Sequence, residues 1–152
     1  MIGVIVAAHG SLASSLLSAA ELVVKATGRI EAIGIESNEN GAQFEARLRE
    51  AVARVRTNEG ALVLTDMFGG TPSNVGLTLH EHGKVEVLTG ANLPMVIKAV
   101  QLSARDVPLI ALAHQVKEYG QRAIAVASEV LTGSQTVASP PSDAGVREKV
   151  SS

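Results

Sequence analysis

The sequence predicts a doubly wound α/β domain with a mainly parallel four-stranded sheet, in the order 2-1-3-4, and helices on both faces. Short β-branched runs alternate with longer stretches of helical spacing. The runs are almost continuously apolar, which is typical of parallel strands buried on both faces. Each run leads into a turn and a helix start, as right-handed crossover connections require.

The composition fits one such domain. A chain of 152 residues with 46% hydrophobic residues can bury a core of its own. A net charge of −2 and scattered Lys and Arg give no electrostatic footprint for nucleic acid. The absence of cysteine excludes disulfides and thiol catalysis and favours a cytoplasmic location. No window approaches the roughly 20 apolar residues of a membrane span, so we expect no direct membrane insertion.

The first βα unit begins with an apolar strand at residues 2–6. Ser11 is expected to cap the following helix, and Gly28 to end it. Helical spacing predicts one buried stripe on this helix, formed by Leu12, Leu16, Ala19, Ala20 and Val23.

The second unit pairs a strand at residues 30–35 with a longer helix. Two ion pairs one turn apart, Glu45 with Arg49 and Glu50 with Arg54, are expected on its solvent side. Its buried stripe is predicted at Phe44, Leu48, Val52 and Val55.

The third and fourth strands, residues 61–65 and 85–88, each run into a polar loop. The first loop reads TDMFGGTPSN, in which Thr71 is expected to cap a helix that has Pro72 at its first position. The second reads TGANLPM, with Asn92 as the expected cap.

The end of the chain is less regular. Residues 108–131 fit either one helix interrupted at Gly120 or a helix followed by a strand at 123–127, and the pattern leaves both open. Residues 132–152 are rich in Ser, Pro and Gly, which predicts a disordered tail after a domain at 1–131.

Ligands of open parallel sheets gather at the carboxyl ends of the strands, near the point where the strand order reverses. This rule selects the loops at residues 9–11, 66–71 and 90–92. In the order 2-1-3-4 the first and third strands are neighbours, so we expect His9 and Asp66 to lie close together.

A histidine beside a carboxylate has a definite chemical meaning. A carboxylate that accepts a hydrogen bond from one ring nitrogen leaves the other nitrogen with a free lone pair, which is a usable nucleophile. The two helix starts offer free backbone N–H groups to an anion. We therefore expect a phosphoryl group on or near His9, with a binding set of Gly10, Ser11, Gly69, Gly70 and Thr71.

Other chemistries find little support. FGGTPSN has no lysine and lacks the spacing of a Walker A loop, and neither a dinucleotide fingerprint nor a G-x-S-x-G elbow is present. The pair His80 and His82 lacks a third ligand, so no metal or other cofactor is expected. A purely structural role for His9 is the simpler alternative, but the three loops at one sheet end favour a site.

Three stretches, IVAAHGSLASSLLSAAELV, LVLTDMFGGTPSN and LTGANLPMV, resemble the signatures of a known family. They are similar, in order and approximate spacing, to the mannose-type enzyme IIA domain of the bacterial phosphoenolpyruvate-dependent sugar phosphotransferase system. The resemblance spans about residues 1–131.

The resemblance implies a covalent relay. His9 would accept a phosphoryl group from the phosphohistidine of the histidine-containing phosphocarrier protein and pass it to a histidine of a IIB component. Asp66 would orient the imidazole, the phosphate would sit on the ring nitrogen remote from Asp66, and Thr71 with nearby amides would hold the phosphoryl oxygens. Such a phosphotransferase needs no metal.

A nucleophile that another protein must reach should stand on a rim of exposed side chains. The candidates for partner docking are Met67, Phe68, Asn92, Leu93 and Met95. The family also forms homodimers by exchanging a C-terminal strand, which gives the segment 123–127 a second interpretation.

Longer relatives carry a fused IIB domain, which is not seen here, so we expect a free-standing IIA protein. This leaves open a regulatory module whose phosphorylation controls partner binding. The phosphotransferase subunit of a dihydroxyacetone kinase is a related alternative, although GGTPSN favours the mannose type. A hydrolase has little support, because no water-activating base is evident.

Overall fold

The computed structural model describes residues 1–137, which alternate between strands and helices as far as the fourth helix. The elements are β1 (Gly3–His9), α1 (Leu12–Glu21), β2 (Ile30–Ile35), α2 (Gly41–Val55), β3 (Ala61–Thr65), α3 (Thr71–Thr78), β4 (Val85–Thr89), α4 (Leu93–Ser103), α5 (Leu109–Arg122) and α6 (Ala127–Leu131).

The four strands form one parallel sheet in the order β2-β1-β3-β4, which confirms the predicted fold class. The register pairs His9 with Ile35 of β2 and Ala7 with Thr65 of β3. The strand order reverses between β1 and β3, so the loops after these two strands meet at one edge of the sheet.

Helices cover both faces of the sheet, because alternate strand residues point to opposite sides. On one face, Val4, Val6 and Leu64 pack beneath α1, α4 and α5. On the other face, Ile5 and Val63 pack beneath α2 and α3. The central strands are buried on both sides, as their continuous apolar sequence predicts.

The buried stripe of α1 differs from the prediction. Ala13 and Ala20 are buried and Leu16 packs against the core, whereas Leu12 and Val23 are exposed. The helix also ends at Glu21 and not near Gly28, and the chain beyond it continues as a turn that buries Val24 in the core.

The predicted stripe of α2 is confirmed, since all four of its members are buried. The ion pair between Glu45 and Arg49 is present at 2.6 Å. Arg54, however, pairs with Glu31 of β2 at 2.8 Å instead of Glu50, because the adjacent strand presents a closer carboxylate.

The start of α3 also differs from the predicted cap. Gly70, not Thr71, is the N-cap, and Thr71 is the first helical residue with Pro72 second. The Gly70 carbonyl accepts the first helical hydrogen bond, from Asn74 N at 2.9 Å. Asn92 does cap α4 as predicted, since its Oδ1 accepts from Met95 N at 3.0 Å.

The ambiguous C-terminal segment takes neither predicted form. Helix α5 continues through Gly120 and ends at Arg122, and the chain is then non-helical until α6 begins at Ala127. Residues 123–127 pair with no strand within the described part of the chain. Instead, the side chain of Gln135 hydrogen-bonds to Ile124 O at 2.7 Å and Val126 N at 3.3 Å.

Most of the predicted tail, 138–152, lies outside the described residues. Among residues 1–137, no helix is long and apolar enough to cross a membrane.

Candidate functional site

His9 and Asp66 meet at the switch point of the sheet, and their predicted proximity is confirmed. His9 is the last residue of β1, and Asp66 directly follows β3, the neighbouring strand. The ring Nδ1 of His9 lies 2.7 Å from Asp66 Oδ2. The same oxygen accepts the backbone N–H of His9 at 3.0 Å. One carboxylate therefore fixes both the strand end and the imidazole.

The protonation of the pair follows from the environment of Asp66. Burial alone raises the pKa of this carboxyl, but hydrogen bonds from the backbone and ring of His9, the charge of His9 and the Met67 N–H together outweigh burial, so the pKa is lowered below its usual value. Asp66 is thus a carboxylate at neutral pH and only accepts hydrogen bonds. Because Nδ1 must then carry the proton, a neutral His9 keeps the lone pair of Nε2 free.

The two side chains differ in access to solvent. The His9 side chain is 49% exposed, while that of Asp66 is only 10% exposed. The imidazole can therefore be reached from solvent, while the carboxylate of Asp66 is largely shielded.

Three glycines shape the loops around the ring. Gly10 has φ of 55° and donates its N–H to Ile35 O at 2.9 Å, which turns the chain away from β1 into α1. Gly69 has φ of 85° and begins the approach to α3, where Gly70 lies against the His9 ring.

Two helix starts flank His9. Neither Ser11 nor Thr71 uses its hydroxyl to cap a helix within residues 1–137. The N–H groups of a first helical turn have no intrahelical partners, so α1 and α3 both present free donors on the side of the carboxyl ends of the strands. This arrangement can stabilise an anion that is placed on Nε2.

Asn74 was not singled out from the sequence. Its Nδ2 lies 3.4 Å from the carbonyl of Gly69, and this contact ties the loop to the first turn of α3. The only signal was a polar residue one turn after the cap, which is too common in helices to be informative.

The predicted docking residues separate into two groups. Met67 and Phe68 are exposed, Phe68 at 73%. Met95 is only 4% exposed and Leu93 packs against the core, while Asn92 caps α4 and donates Nδ2 to Gly120 O at 3.3 Å. The docking prediction for Met95 is wrong, because α5 closes over the start of α4.

The remaining histidines lie apart from this site. His80 and His82 are exposed in the connection between α3 and β4, and His80 Nε2 lies 3.6 Å from Glu86 Oε1. His114 is exposed on α5, so it has no packing role in the core. Within residues 1–137, no group of three or more His, Asp or Glu side chains is arranged to hold a metal ion.

Comparison with known families gives a match over most of the chain. Residues 3–117 match the family model described as the fructose IIA component of the phosphotransferase system (PTS).

Among curated proteins, the mannose-specific EIIAB component of Escherichia coli is 30% identical over 131 residues, covering 81% of this chain and 39% of that protein. The chain thus spans about two fifths of the length of that relative. The fructose-specific EIIA component of Bacillus subtilis is 25% identical over 132 residues, covering 86% of this chain and 90% of that protein.

Solved structures give the same result. An EIIA component from Streptococcus agalactiae superposes with a TM-score of 0.76 at 29% identity, covering 84% of this chain and 98% of the other. A mannose/sorbose-specific IIA subunit from Enterococcus faecalis has a TM-score of 0.72 at 25% identity, covering 82% and 93% of the two chains.

Proposed function

The chain belongs to the family of fructose- and mannose-type IIA components of the bacterial sugar phosphotransferase system, and from this we propose that it is a phosphocarrier that works through His9. The donor is the phosphohistidine of the histidine-containing phosphocarrier protein, and the receiver is a histidine of a IIB component. The observation that carries the proposal is the 2.7 Å contact between His9 Nδ1 and Asp66 Oδ2, which leaves Nε2 as the reacting atom.

The transfer exchanges one N–P bond for another. The lone pair of Nε2 attacks the phosphorus of the donor, and the donor nitrogen takes back the bonding pair as the old N–P bond breaks. In the second transfer, a nitrogen of the IIB histidine attacks the phosphorus, and Nε2 of His9 takes back the bonding pair as its N–P bond breaks. Such in-line chemistry demands mainly alignment and charge stabilisation, and we expect the contact with Asp66 to provide the first and the N–H donors beside His9 to contribute to the second.

The charge of the phosphoryl group calls for donors close to Nε2. The proposed set is the backbone of Gly10, Ser11, Gly69 and Gly70, together with the Thr71 hydroxyl, which caps no helix. The loops at 9–11, 66–71 and 90–92 contain no lysine or arginine. A partner that docks on Met67 and Phe68 is therefore the source of any cation in the transfer complex.

Reconstitution of the relay tests this proposal. Incubation with phosphoenolpyruvate and the general phosphocarriers is expected to label the protein with an acid-labile, alkali-stable phosphate, which a IIB component then removes. His9→Ala should abolish the label. The matched control, His114→Ala, changes an exposed histidine outside the site and should leave labelling intact. Labelling of His9→Ala at the wild-type level would contradict the proposal.

We propose further that the protein is a homodimer, formed through the side of β4 that pairs with no strand within residues 1–137. Along this edge strand runs a cleft of about 370 Å³, lined in part by Phe68, Leu77 and Thr89. Ile124, in the non-helical segment after α5, lines the same cleft and is 67% exposed. An apolar segment beside an open strand edge suits pairing with a second copy of the chain.

Sedimentation equilibrium checks the dimer. Wild type is expected to sediment at twice the chain mass, and Ile124→Asp to shift the equilibrium towards the monomer. Leu22→Asp, which changes an exposed leucine far from β4 in the sequence, serves as the control. A wild-type protein that stays monomeric at high concentration would argue against the dimer.

A further inference from the structure

Gly70 is in close contact with the reacting edge of the His9 ring. A Cβ built on Gly70 would lie 2.9 Å from His9 Cε1 and 3.5 Å from His9 Nε2. The same Cβ would lie 3.3 Å from Met67 Cγ. A methyl group at this position would therefore press on the ring next to the atom that we propose to react.

The backbone of Gly70 does not itself require a glycine. Its φ of −82° and ψ of 167° are extended values that any residue adopts. Gly69, directly before it, has φ of 85° and does need glycine for its conformation. Two adjacent positions of one loop thus require glycine for different reasons. Gly69 needs it for its backbone conformation, and Gly70 has no room for a side chain beside the His9 ring.

The ring cannot move away from such a methyl group without disturbing its hydrogen bond to Asp66. On its other side, Nδ1 is held at 2.7 Å by Asp66, whose oxygen also bonds the backbone of His9. Any rotation or shift that relieves a contact at Cε1 moves Nδ1 relative to this carboxylate. The imidazole is therefore held by a hydrogen bond at Nδ1, and the space beside Cε1 has no room for a side chain at position 70.

We infer that Gly70 is a positioning residue, because the lack of a side chain there leaves the space in which Asp66 can orient the His9 ring and hence the Nε2 lone pair. The functional consequence of this inference rests on the proposed phosphocarrier function, whereas the geometry of Gly70 and His9 does not. It is distinct from phosphoryl binding by the Gly70 amide, because Gly70→Ala keeps the N–H and changes only the space beside the ring.

The first test compares Gly70→Ala with Gly41→Ala. A Cβ on Gly41 meets only Thr71 Cγ2, at an ordinary 3.8 Å, so the control adds a methyl group without a clash. Because a misplacement of about 1 Å can cost on the order of 100-fold in rate, phosphorylation of Gly70→Ala should fall by that order, and that of Gly41→Ala should stay near wild type. Wild-type phosphorylation of Gly70→Ala would overturn the inference.

The second test does not depend on phosphorylation. In ¹⁵N NMR, wild type should show Nδ1 of His9 protonated, and Gly70→Ala should shift both ring nitrogens towards a mixture of tautomers. In a double-mutant cycle, Gly70→Ala should lower the midpoint of thermal unfolding more in wild type than in His9→Ala, where the ring is absent and only the 3.3 Å contact with Met67 Cγ remains. Equal destabilisation in both backgrounds, or unchanged ring shifts, would overturn the inference.

The two tests separate the inference from the function. If wild type takes no phosphate from the relay, the phosphocarrier proposal fails, and the NMR and stability data still decide whether Gly70 positions the ring. If wild type is phosphorylated and the cycle shows no coupling, only the positioning role fails.

Discussion

The carboxylate of Asp66 holds both the backbone and the ring of His9 through a single oxygen. Its second oxygen accepts from Met67 N at 3.0 Å, so the carboxylate is fixed by its own loop as well. A shift of this group would disturb the end of β1 and the imidazole together. The orientation of the imidazole is thereby tied to the end of β1 and to the loop after β3.

Asp66→Asn is expected to slow phosphorylation of His9 by roughly 100-fold or more, because an amide can donate to Nδ1 and so favour the tautomer with the proton on Nε2. Initial rates with a fixed concentration of phosphorylated carrier measure the effect. Circular dichroism provides the control that the variant is folded. A rate within twofold of wild type would show that the carboxylate does not orient the ring.

The same variant has a predictable pH signature. Because the folded-state pKa of Asp66 is lowered, its contribution to stability is complete above the usual carboxyl value of 3.8 and is lost as the pH falls through the folded-state pKa. The difference in unfolding free energy between wild type and Asp66→Asn should therefore stay constant near neutral pH and narrow as the pH falls below about 4. Urea titrations at several pH values measure it, and a constant difference would contradict the lowered pKa.

At the level of single residues, the sequence predicted what topology determines and missed what packing determines. His9 and Asp66 follow adjacent strands, so the strand order alone brings them together. Met95 was misassigned to the surface, because its burial depends on α5, whose Gly120 lets the two helices approach closely. No local pattern around Met95 reveals that neighbour.

Among the elements, α1 and α3 share one feature: each begins after a strand that ends beside His9, and neither start has a side-chain cap from residues 1–137. Helix α2 is different, since Asn40 and Gln43 cap its start reciprocally at 2.9 and 3.0 Å. The capped helix serves stability, and the two open helix starts are available to an anion.

The two phenylalanines of the chain provide a matched test of the difference between residues that serve stability and residues that serve the site. Phe44 on α2 is fully buried, whereas Phe68 in the β3–α3 loop is 73% exposed. Phe44→Ala should lower the free energy of unfolding by about 3–5 kcal/mol. Phe68→Ala should change it by less than about 0.5 kcal/mol but weaken transfer from the phosphocarrier protein.

Urea unfolding and the KM for the phosphorylated carrier separate these two effects. An unchanged KM for Phe68→Ala would remove this side chain from the docking surface. A small loss of stability in Phe44→Ala would mean that the core beneath α2 rearranges around the cavity.

The helices also show when hydrophobic periodicity predicts the buried face of a helix and when it does not. The stripe of α2 was predicted correctly, because polar residues on its other face define the phase of the helix. In α1, small and apolar residues surround most of the helix, so two phases fit equally well, and contact with the sheet selected Ala13 and Ala20. Composition alone cannot make that choice.

For the whole molecule, the strand order β2-β1-β3-β4 brings the residues of the candidate site together. It places the ends of β1 and β3 side by side, and the two following loops close around one imidazole. The order was predictable, because continuous apolar strands and crossover helices leave few topologies open. The arrangement of the C-terminal segment was not, because Ile124 and Val126 bond to the side chain of Gln135, 11 and 9 residues further along the chain, instead of to a strand.

The central claim is that Nε2 of His9 is the phosphorylated atom. It is tested most directly by ³¹P and ¹⁵N NMR of the protein, labelled in its four histidines and phosphorylated through the relay. The predicted result is one phosphorus coupled to Nε2 of His9, with Nδ1 still protonated towards Asp66. Coupling to Nδ1 of His9, or to His80, His82 or His114, would contradict the account.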